Sequence, residues 1–320
     1  MITLEKISKT YQVPVRKAGF KHALSAFVKR EYRQVKALQD VSLHIEAGEM
    51  VGYIGPNGAG KSTTIKILSG ILYPESGSVQ IDGLDPFKDR KKHAQNIGVV
   101  FGQRSQLWWD LPVGDSFELL REIYRIPQAD YQQRLAEFVA LFELEELVQR
   151  PVRQLSLGQR VRCDIVAALL HNPKVLFLDE PTIGLDAFSK QKVRELIKHV
   201  NQQYNTTVIL TTHDMQDIEQ IVSRVVLIGH GQLLYDGKLP ALIKTYGAKK
   251  QIQIRFQGRL PEHTAFTVLE SSEDSALLQL ETDLAAVIGI LQAALTIDQL
   301  EVLNTTIDDV ILNLYEDYHV

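Results

Sequence analysis

Four short apolar runs give the chain its most regular pattern. They are rich in Val, Ile, Leu and Phe, and each ends abruptly in polar or glycine-containing sequence, at residues 50–55, 97–101, 175–180 and 207–214. Near-continuous apolar runs of this length are typical of strands buried on both faces of a parallel sheet. A buried helical turn is the alternative for some runs, but their shortness and β-branched content favour strands. The pattern predicts an α/β fold with a mainly parallel sheet core.

A helical pattern separates the second of these strands from the third. Residues 112–124 and 131–148 carry apolar side chains three and four positions apart, for example Leu135 and Phe138. We therefore predict an inserted helical subdomain over residues 104–170.

The pattern changes again after a predicted β-hairpin. Apolar and polar residues alternate over 249–258, and an apolar helix near 283–295 and a final helix near 306–318 follow. We expect residues 1–246 to form the main domain and residues 247–320 to form a small α+β accessory domain.

Polar side chains follow the four predicted strands at the points where these end. They are Lys61, Gln103, Asp179 with Glu180, and His213. Because open α/β sheets bind ligands beyond the carboxyl ends of their strands, we expect these side chains to share one site.

Composition narrows the class of protein. The chain has 320 residues, 45% hydrophobic and 23% charged, which suits one large domain with a smaller one. Its net charge of −4 argues against a surface devoted to nucleic acid, so no nucleic-acid partner is expected. The single cysteine, Cys163, excludes an intrachain disulfide. The N-terminal sequence lacks the features of a secretory signal, and no apolar stretch reaches the ~20 residues that span a bilayer.

The segment GPNGAGKST fits the phosphate-binding pattern G-x-x-x-x-G-K-[ST] and lies between a predicted strand and a predicted helix. Glycines let backbone N–H groups approach phosphates, and a helix N-terminus carries about half a positive charge. Lys61 is expected to reach the β- and γ-phosphates, and Ser62 to ligate Mg²⁺. The predicted nucleotide-binding residues of this loop are Gly55, Pro56, Asn57, Gly58, Ala59, Gly60, Lys61, Ser62 and Thr63.

Two carboxylates, Asp179 and Glu180, close the third predicted strand. An aspartate here can hold the hydration shell of Mg²⁺, and the next carboxylate can orient or deprotonate an attacking water. With the phosphate-binding loop, they predict a P-loop nucleoside triphosphatase. The N-K-x-D signature of GTPases is absent from the sequence.

A second helix start with the features of an anion site occurs at LSLGQ, residues 155–159. Ser156 and Gln159 form the S-x-x-Q pattern of a capping box, which alone indicates only a helix. In order, however, the motifs resemble those of the ATP-binding subunits of ABC transporters over roughly residues 1–240. The matching segments are Tyr11, GPNGAGKST, Gln103, LSLGQ, VLFLDE, GLD and His213.

The resemblance implies a composite site. In this family two subunits pack head to tail, and ATP and Mg²⁺ lie between the P-loop of one and the signature of the other. The signature residues implied here are Ser156, Gly158 and Gln159. Asp186 would lie at the dimer seam, and Tyr11 would stack on adenine.

The remaining implied roles are catalytic or metal-binding. Gln103 would sense Mg²⁺ and the attacking water, and His213 would hold the γ-phosphate against Glu180, with Lys61 completing the catalytic set. The implied metal-binding residues are Ser62, Gln103 and Asp179.

Several of these roles have an alternative. Tyr11 could be a strand-end aromatic residue in the core, and His213 could cap a following helix. Gln103 is offset by one glycine from the usual spacing, which leaves Gln106 as a second candidate. Leu157 replaces the first glycine of the common signature L-S-G-G-Q, so either its backbone angle is ordinary or its contact with ATP is altered.

The resemblance also implies partners: membrane permease subunits and a second ATP-binding subunit, either the same chain or a close paralogue. The implied location is peripheral, at the cytoplasmic face of the cell membrane. The segment EPTIGLD and the C-terminal region resemble those of the ABC-2-like exporter branch. The alternatives are a soluble ABC-type ATPase that acts on ribosomes or DNA, and a non-transport P-loop enzyme.

Two further segments carry expectations of their own. Residues 13–35 are interpreted as a basic amphipathic insertion that either touches the membrane or the permease, or packs on its own domain. Of the adjacent Trp108 and Trp109, we expect one in the core and the other at the permease interface, with burial of both as the alternative.

Overall fold

The computed structural model describes residues 1–14, 32–102, 104–247, 250–303 and 307–318. These residues divide into two units, Met1–Leu239 and Pro240–Val320. The division falls at the start of a helix, whereas the sequence pattern changes at Gly247.

The first unit contains two sheets and a set of helices. Its strands are β1 (Ile2–Pro14), β2 (Tyr32–Ile45), β3 (Met50–Ile54), β4 (Ser76–Ile81), β5 (Ile97–Phe101), β6 (Val175–Asp179), β7 (Thr207–Thr211), β8 (Arg224–Gly229) and β9 (Gln232–Lys238). Its helices are α1 (Lys61–Leu68), α2 (Arg90–Asn96), α3 (Val113–Tyr124), α4 (Gln128–Leu141), α5 (Leu157–Leu169), α6 (Ala187–Tyr204) and α7 (Met215–Ile221), with a 3₁₀ turn at Val152–Gln154.

The larger sheet has six strands in the order β5-β6-β7-β3-β8-β9. All neighbouring pairs are parallel except β8 and β9. The four strands predicted from the apolar runs are β3, β5, β6 and β7, and they are neighbours in this sheet. Val51, Phe177 and Ile209 from three of them are buried in one core cluster, as near-continuous apolar strands require. The predicted α/β class with a mainly parallel sheet is confirmed.

A three-stranded antiparallel sheet, in the order β2-β1-β4, completes the first unit. β1 and β2 pair from Ile2 opposite Ile45 to Pro14 opposite Tyr32. The two ends of the predicted insertion are therefore strand, whereas residues 15–31, which hold most of its basic and apolar positions, lie outside the described residues.

The predicted helices between the second and third buried strands are present as α3, α4 and α5. Phe117 of α3, Phe138 of α4 and Ile165 of α5 are buried. The expectation that one tryptophan packs in the core is wrong, because Trp108 is 39% exposed and Trp109 is 54% exposed. The backbones of both are bonded to other segments, since Trp108 N donates to Ser116 Oγ and Trp109 O accepts from Arg153 N. The Trp109 ring centroid lies 5.9 Å from the Arg160 guanidinium, a contact that suits a ring at the surface.

The second unit is α+β. Its elements are α8 (Leu239–Tyr246, which begins at the boundary), β10 (Gln251–Gly258), β11 (Phe266–Ser271), β12 (Ser275–Leu280), α9 (Leu284–Ala294), β13 (Leu295–Leu303) and α10 (Ile307–Asp317). The strands form an antiparallel sheet in the order β11-β12-β10-β13. Val287 and Leu291 of α9 are buried in one cluster with residues of this sheet such as Ile254. The helices predicted near 283–295 and 306–318 are confirmed. In the described ranges of both units, no helix has the length and apolar character needed to cross a membrane.

A partly buried histidine, His171, follows the signature helix α5. The His171 ring stacks on Tyr124 with a centroid separation of 3.9 Å, and its Nε2 donates to Ile97 O over 2.9 Å. Burial lowers the pKa of His171 from its usual 6.5 to about 4.

Acid should therefore destabilise the first unit through this residue. The folded pKa lies below the unfolded one, so the unfolded chain binds a proton between pH 6.5 and about 4, and stability falls as pH falls through this window. Relative to His171→Gln, the wild type should lose up to about 2 kcal/mol of unfolding free energy between pH 7.5 and pH 5. Urea unfolding followed by tryptophan emission measures this difference, and a gap that does not change with pH would refute it.

Candidate active site

The loop between β3 and α1 contains glycines at which any other side chain would displace neighbouring backbone. A Cβ at Gly55 would lie 2.4 Å from Ile228 O, and one at Gly60 would lie 2.5 Å from Ala37 O. Gly60 also has a φ of 114°, which L side chains rarely adopt. The loop can therefore turn directly into α1, with free N–H groups at the first turn of the helix.

Lys61 lies across this loop. Its Nζ donates to Gly55 O over 2.6 Å and to Pro56 O over 3.2 Å. Burial lowers the pKa of the Lys61 ammonium, while the charges of Glu180 and Asp179 act in the opposite direction. The ammonium is thus held where a bound phosphate could replace the two carbonyl contacts.

A hydroxyl and a carboxylate lie together next to the loop. Ser62 Oγ donates to Asp179 Oδ1 over 3.3 Å, and Thr211 Oγ1 donates to the same oxygen over 2.5 Å. Hydroxyl and carboxylate oxygens are the donors that Mg²⁺ prefers, so these residues fit the predicted metal.

Glu180 and His213 meet at the same edge of the sheet. His213 Nδ1 lies 3.7 Å from Glu180 Oε1, and the His213 side chain is more exposed than that of Glu180. Glu180 has a φ of 53°, a strained angle for a glutamate, and its N–H donates to Thr211 O over 2.9 Å. The turn after β6 therefore aims this carboxylate toward the site instead of continuing the strand.

Tyr11 also reaches the P-loop helix. Its hydroxyl lies 3.5 Å from Thr63 Oγ1, which puts the ring at the first turn of α1 rather than in the distant core. Gln103 lies outside the described residues. The alternative Gln106 is engaged elsewhere, since its Nε2 donates to Asp164 O in α5 over 2.8 Å.

The signature forms the start of α5. Ser156 Oγ accepts from Gln159 N over 3.2 Å, and Gln159 Oε1 accepts from Ser156 N over 2.9 Å, which confirms the predicted capping box. Leu157 is the first residue of the helix and has no positive φ. Of the two alternatives for this position, the ordinary backbone angle holds.

Asp186 lies beside this helix start. It caps α6, accepting from Ser189 N and Ser189 Oγ, and these bonds hold the pKa of its carboxyl below the usual value. A Cβ at Gly158 would lie 2.5 Å from Ser189 Oγ, and one at Gly184 would lie 3.2 Å from Leu157 Cδ2. The signature and the loop that carries Asp186 therefore form one continuous surface of a single chain.

The sequence did not reveal a buried network behind the site. Asp217 of α7 pairs with Arg194 of α6 over 2.6 Å, and it accepts from Thr182 and Thr212. This network ties the loop after Glu180 to the turn that carries His213. The sequence signal that could have indicated this network is the presence of polar residues at positions that pack in the core. Thr212 and Asp217 follow an apolar strand, and both are buried.

Comparison with known proteins identifies the family. The family model described as ABC transporter matches residues 38–183. The daunorubicin resistance ATP-binding protein DrrA3 of Streptomyces coeruleorubidus is 30% identical, over 90% of this chain and 94% of that protein. The chain belongs to the ATP-binding subunits of ABC transporters. The methionine import ATP-binding protein MetN 2 of Enterococcus faecalis is a further relative of this ABC subunit, 37% identical over 71% of this chain and 68% of that protein.

Solved structures agree with this assignment. A dimeric ATP-binding cassette in a post-hydrolysis state, bound to ADP and Pi, matches with a TM-score of 0.62 and 30% identity, over 75% of this chain and 99% of that cassette. The fold is that of a P-loop NTPase, as predicted, and this ABC subunit binds ATP and is an ATPase.

The contact between Leu157 and Gly184 allows a direct test of the shared surface. Gly184→Ala should destabilise the first unit because its φ is +73° and its new Cβ would press on Leu157. The matched control is Gly83→Ala, which has a φ of +76° and nothing within 4 Å of the new Cβ. We expect Gly184→Ala to cost about 1 kcal/mol more than the control in urea unfolding, and Leu157→Ala to remove this excess. If Gly184→Ala and Gly83→Ala lower the free energy of unfolding equally, Leu157 does not limit the space at Gly184.

Proposed function

We propose that two copies of this chain, or this chain and a close paralogue, close around ATP and power a membrane exporter. Each nucleotide would lie between the P-loop of one copy and the helix start at Ser156 of the other. The observation that carries this proposal is that two helix starts with the features of anion sites lie on different elements of one chain. The helix start of α1 has Lys61 and the Asp179–Glu180 pair beside it, whereas the start of α5 has Asp186 beside it.

The residues of the first site suit hydrolysis of the γ-phosphate. Glu180 would take a proton from water as the water oxygen attacks the γ-phosphorus and the bond to the β-phosphate oxygen breaks. His213 would hold Glu180 and the γ-phosphate in line, and Lys61 would exchange its carbonyl contacts for phosphate oxygens. Ser62, Asp179 and Gln103 would hold Mg²⁺, which neutralises phosphate charge when bound. Tyr11 would stack on the adenine.

The second site would distinguish ATP from ADP. A helix N-terminus with a serine hydroxyl favours a γ-phosphate, because both offer hydrogen bonds and positive potential to an anion. ATP would thus close the dimer across Ser156, Gly158, Gln159 and Asp186, and loss of the γ-phosphate would loosen it.

Similarity along nearly the whole of one relative supports an exporter. The alignment with the daunorubicin resistance protein covers 94% of that protein, whereas the alignment with the methionine import protein of Enterococcus faecalis covers 68% of it. The methionine import relative has the higher identity, 37%, and makes an importer the competing function. In either case the partners would be membrane permease subunits, with this chain peripheral at the cytoplasmic face of the cell membrane.

Glu180→Gln should separate ATP binding from hydrolysis. The amide cannot accept the proton from water, so turnover should fall at least about 100-fold while ATP still binds. With ATP and Mg²⁺ this variant should accumulate a dimer on gel filtration, whereas the unsubstituted chain should return to monomer. A monomeric profile, or turnover close to wild type, would reject Glu180 as the base.

A cell-based comparison tests the exporter proposal. Cells that produce this chain with its native permease should tolerate amphipathic drugs such as daunorubicin better than cells with the matched Glu180→Gln variant. Uptake of methionine should be the same in both strains. Equal drug tolerance with methionine uptake that depends on Glu180 would favour the importer.

A further inference from the structure

A buried carboxylate joins the segment after Gln103 to the signature helix. Asp164 in the middle of α5 is 5% exposed. Its Oδ1 accepts from Ser105 Oγ over 2.7 Å and from Gln106 N over 3.1 Å. Its backbone carbonyl accepts from Gln106 Nε2 over 2.8 Å. Residues 105 and 106 are therefore fixed to α5 through one residue.

The residues that precede Gln103 are bonded to β6, the strand that ends in Asp179. Phe101 of β5 pairs with Asp179 of β6, and Gly102 N donates to Asp179 O over 2.8 Å. The chain thus passes from β5, which pairs with the strand that ends in the proposed metal ligand Asp179, through position 103 to residues 105 and 106. We call the bonds from Ser105 and Gln106 to Asp164 the Asp164 clamp.

The signature helix can carry a displacement from Asp164 to its own start. α5 is a continuous 13-residue helix whose first turn is closed by the capping box. Asp164 lies eight positions after Ser156, which corresponds to about 12 Å along a helix axis. A shift of the clamp would therefore reposition the site that faces the partner nucleotide.

From this arrangement we propose that Asp164 is a positioning residue that couples the Gln103 segment to the signature helix. Nucleotide bound at the P-loop of one copy would thereby set the placement of Ser156 for the nucleotide of the other. The inference rests on the proposed two-copy mechanism. Burial raises the pKa of Asp164 to about 6, against the effect of the bonds from Ser105 and Gln106, so at pH 7.5 the carboxylate is still mostly an acceptor.

The substitutions that test this coupling differ in one property. Asp164→Leu keeps the branching and the number of heavy atoms of the side chain but leaves Ser105 Oγ and Gln106 N without their acceptor, whereas Asp164→Asn keeps an acceptor oxygen. Cys163→Ala is the matched control, since Cys163 is buried beside Asp164 on the same helix.

ATP turnover and nucleotide affinity should separate in these variants. In Asp164→Leu we expect kcat to fall about tenfold, because the Ser105 hydroxyl and the Gln106 N–H lose the acceptor that fixes them to α5. The affinity of the free chain for a fluorescent ATP analogue should change less than about twofold, because the P-loop is intact. Asp164→Asn and Cys163→Ala should keep at least half of the wild-type kcat.

Tryptophan emission provides a second readout. The two tryptophans of the chain directly follow the clamp, and the Arg160 guanidinium of α5 lies 5.9 Å from the Trp109 ring centroid. ATP should change this emission in the wild type and in Asp164→Asn, and much less in Asp164→Leu.

Three results would overturn the proposal: a folded Asp164→Leu chain with wild-type kcat and emission change, an Asp164→Asn chain as impaired as Asp164→Leu, or an equal loss in Cys163→Ala. If Asp164→Leu fails to fold, Ser105→Ala provides the test, because it removes one of the two donors to Asp164. We expect this variant to lose about threefold in kcat. An unchanged kcat would reject the proposal. A wild-type chain that binds ATP but does not hydrolyse it would instead reject the proposed function, and the emission readout would still decide the coupling.

Discussion

A triphosphate can be held only where several hydrogen-bond donors and positive charges approach it closely, and this requirement organises the first unit. The donors come from backbone N–H groups at the start of α1, which are accessible because Gly55 and Gly60 pack against backbone carbonyls without a Cβ. The parallel sheet brings Asp179, Glu180 and His213 to the same edge, since they lie at or just after the carboxyl ends of neighbouring strands. A sheet with another strand order would not place these three side chains beside the loop.

The strands and the helix start that line the candidate site are also the elements that the sequence predicts best. The strands β3, β5, β6 and β7 are buried on both faces, so their apolar runs are nearly continuous and easily recognised. The capping box at Ser156 is equally local, because its two bonds join residues three positions apart. Local chemistry of this kind is contained in the sequence itself.

Other features depend on contacts between distant segments. The tryptophans were expected to divide between core and surface, but both are exposed, and the Trp109 ring lies against the Arg160 guanidinium. The Asp217–Arg194 pair and the clamp at Asp164 join residues 23 and 58 or more positions apart. In the sequence, a buried ion pair or carboxylate is visible only as a polar residue within an apolar pattern. Such a residue must have a partner when it is buried, but the pattern does not show which residue the partner is.

The surface formed by the signature and the Asp186 loop supports the proposal that one chain supplies half of each ATP site. Mixing two inactive variants tests whether the two halves of a site come from different chains. Lys61→Ala impairs the P-loop and Ser156→Glu impairs the signature, so each homodimer would have two defective sites. In a mixed dimer, the P-loop of the Ser156→Glu chain meets the intact signature of the Lys61→Ala chain. If each ATP site is shared between two chains, ATPase activity should appear on mixing, at up to about a quarter of the wild-type rate when chains pair at random and each intact site works independently. A mixture as inactive as its components would contradict a shared site.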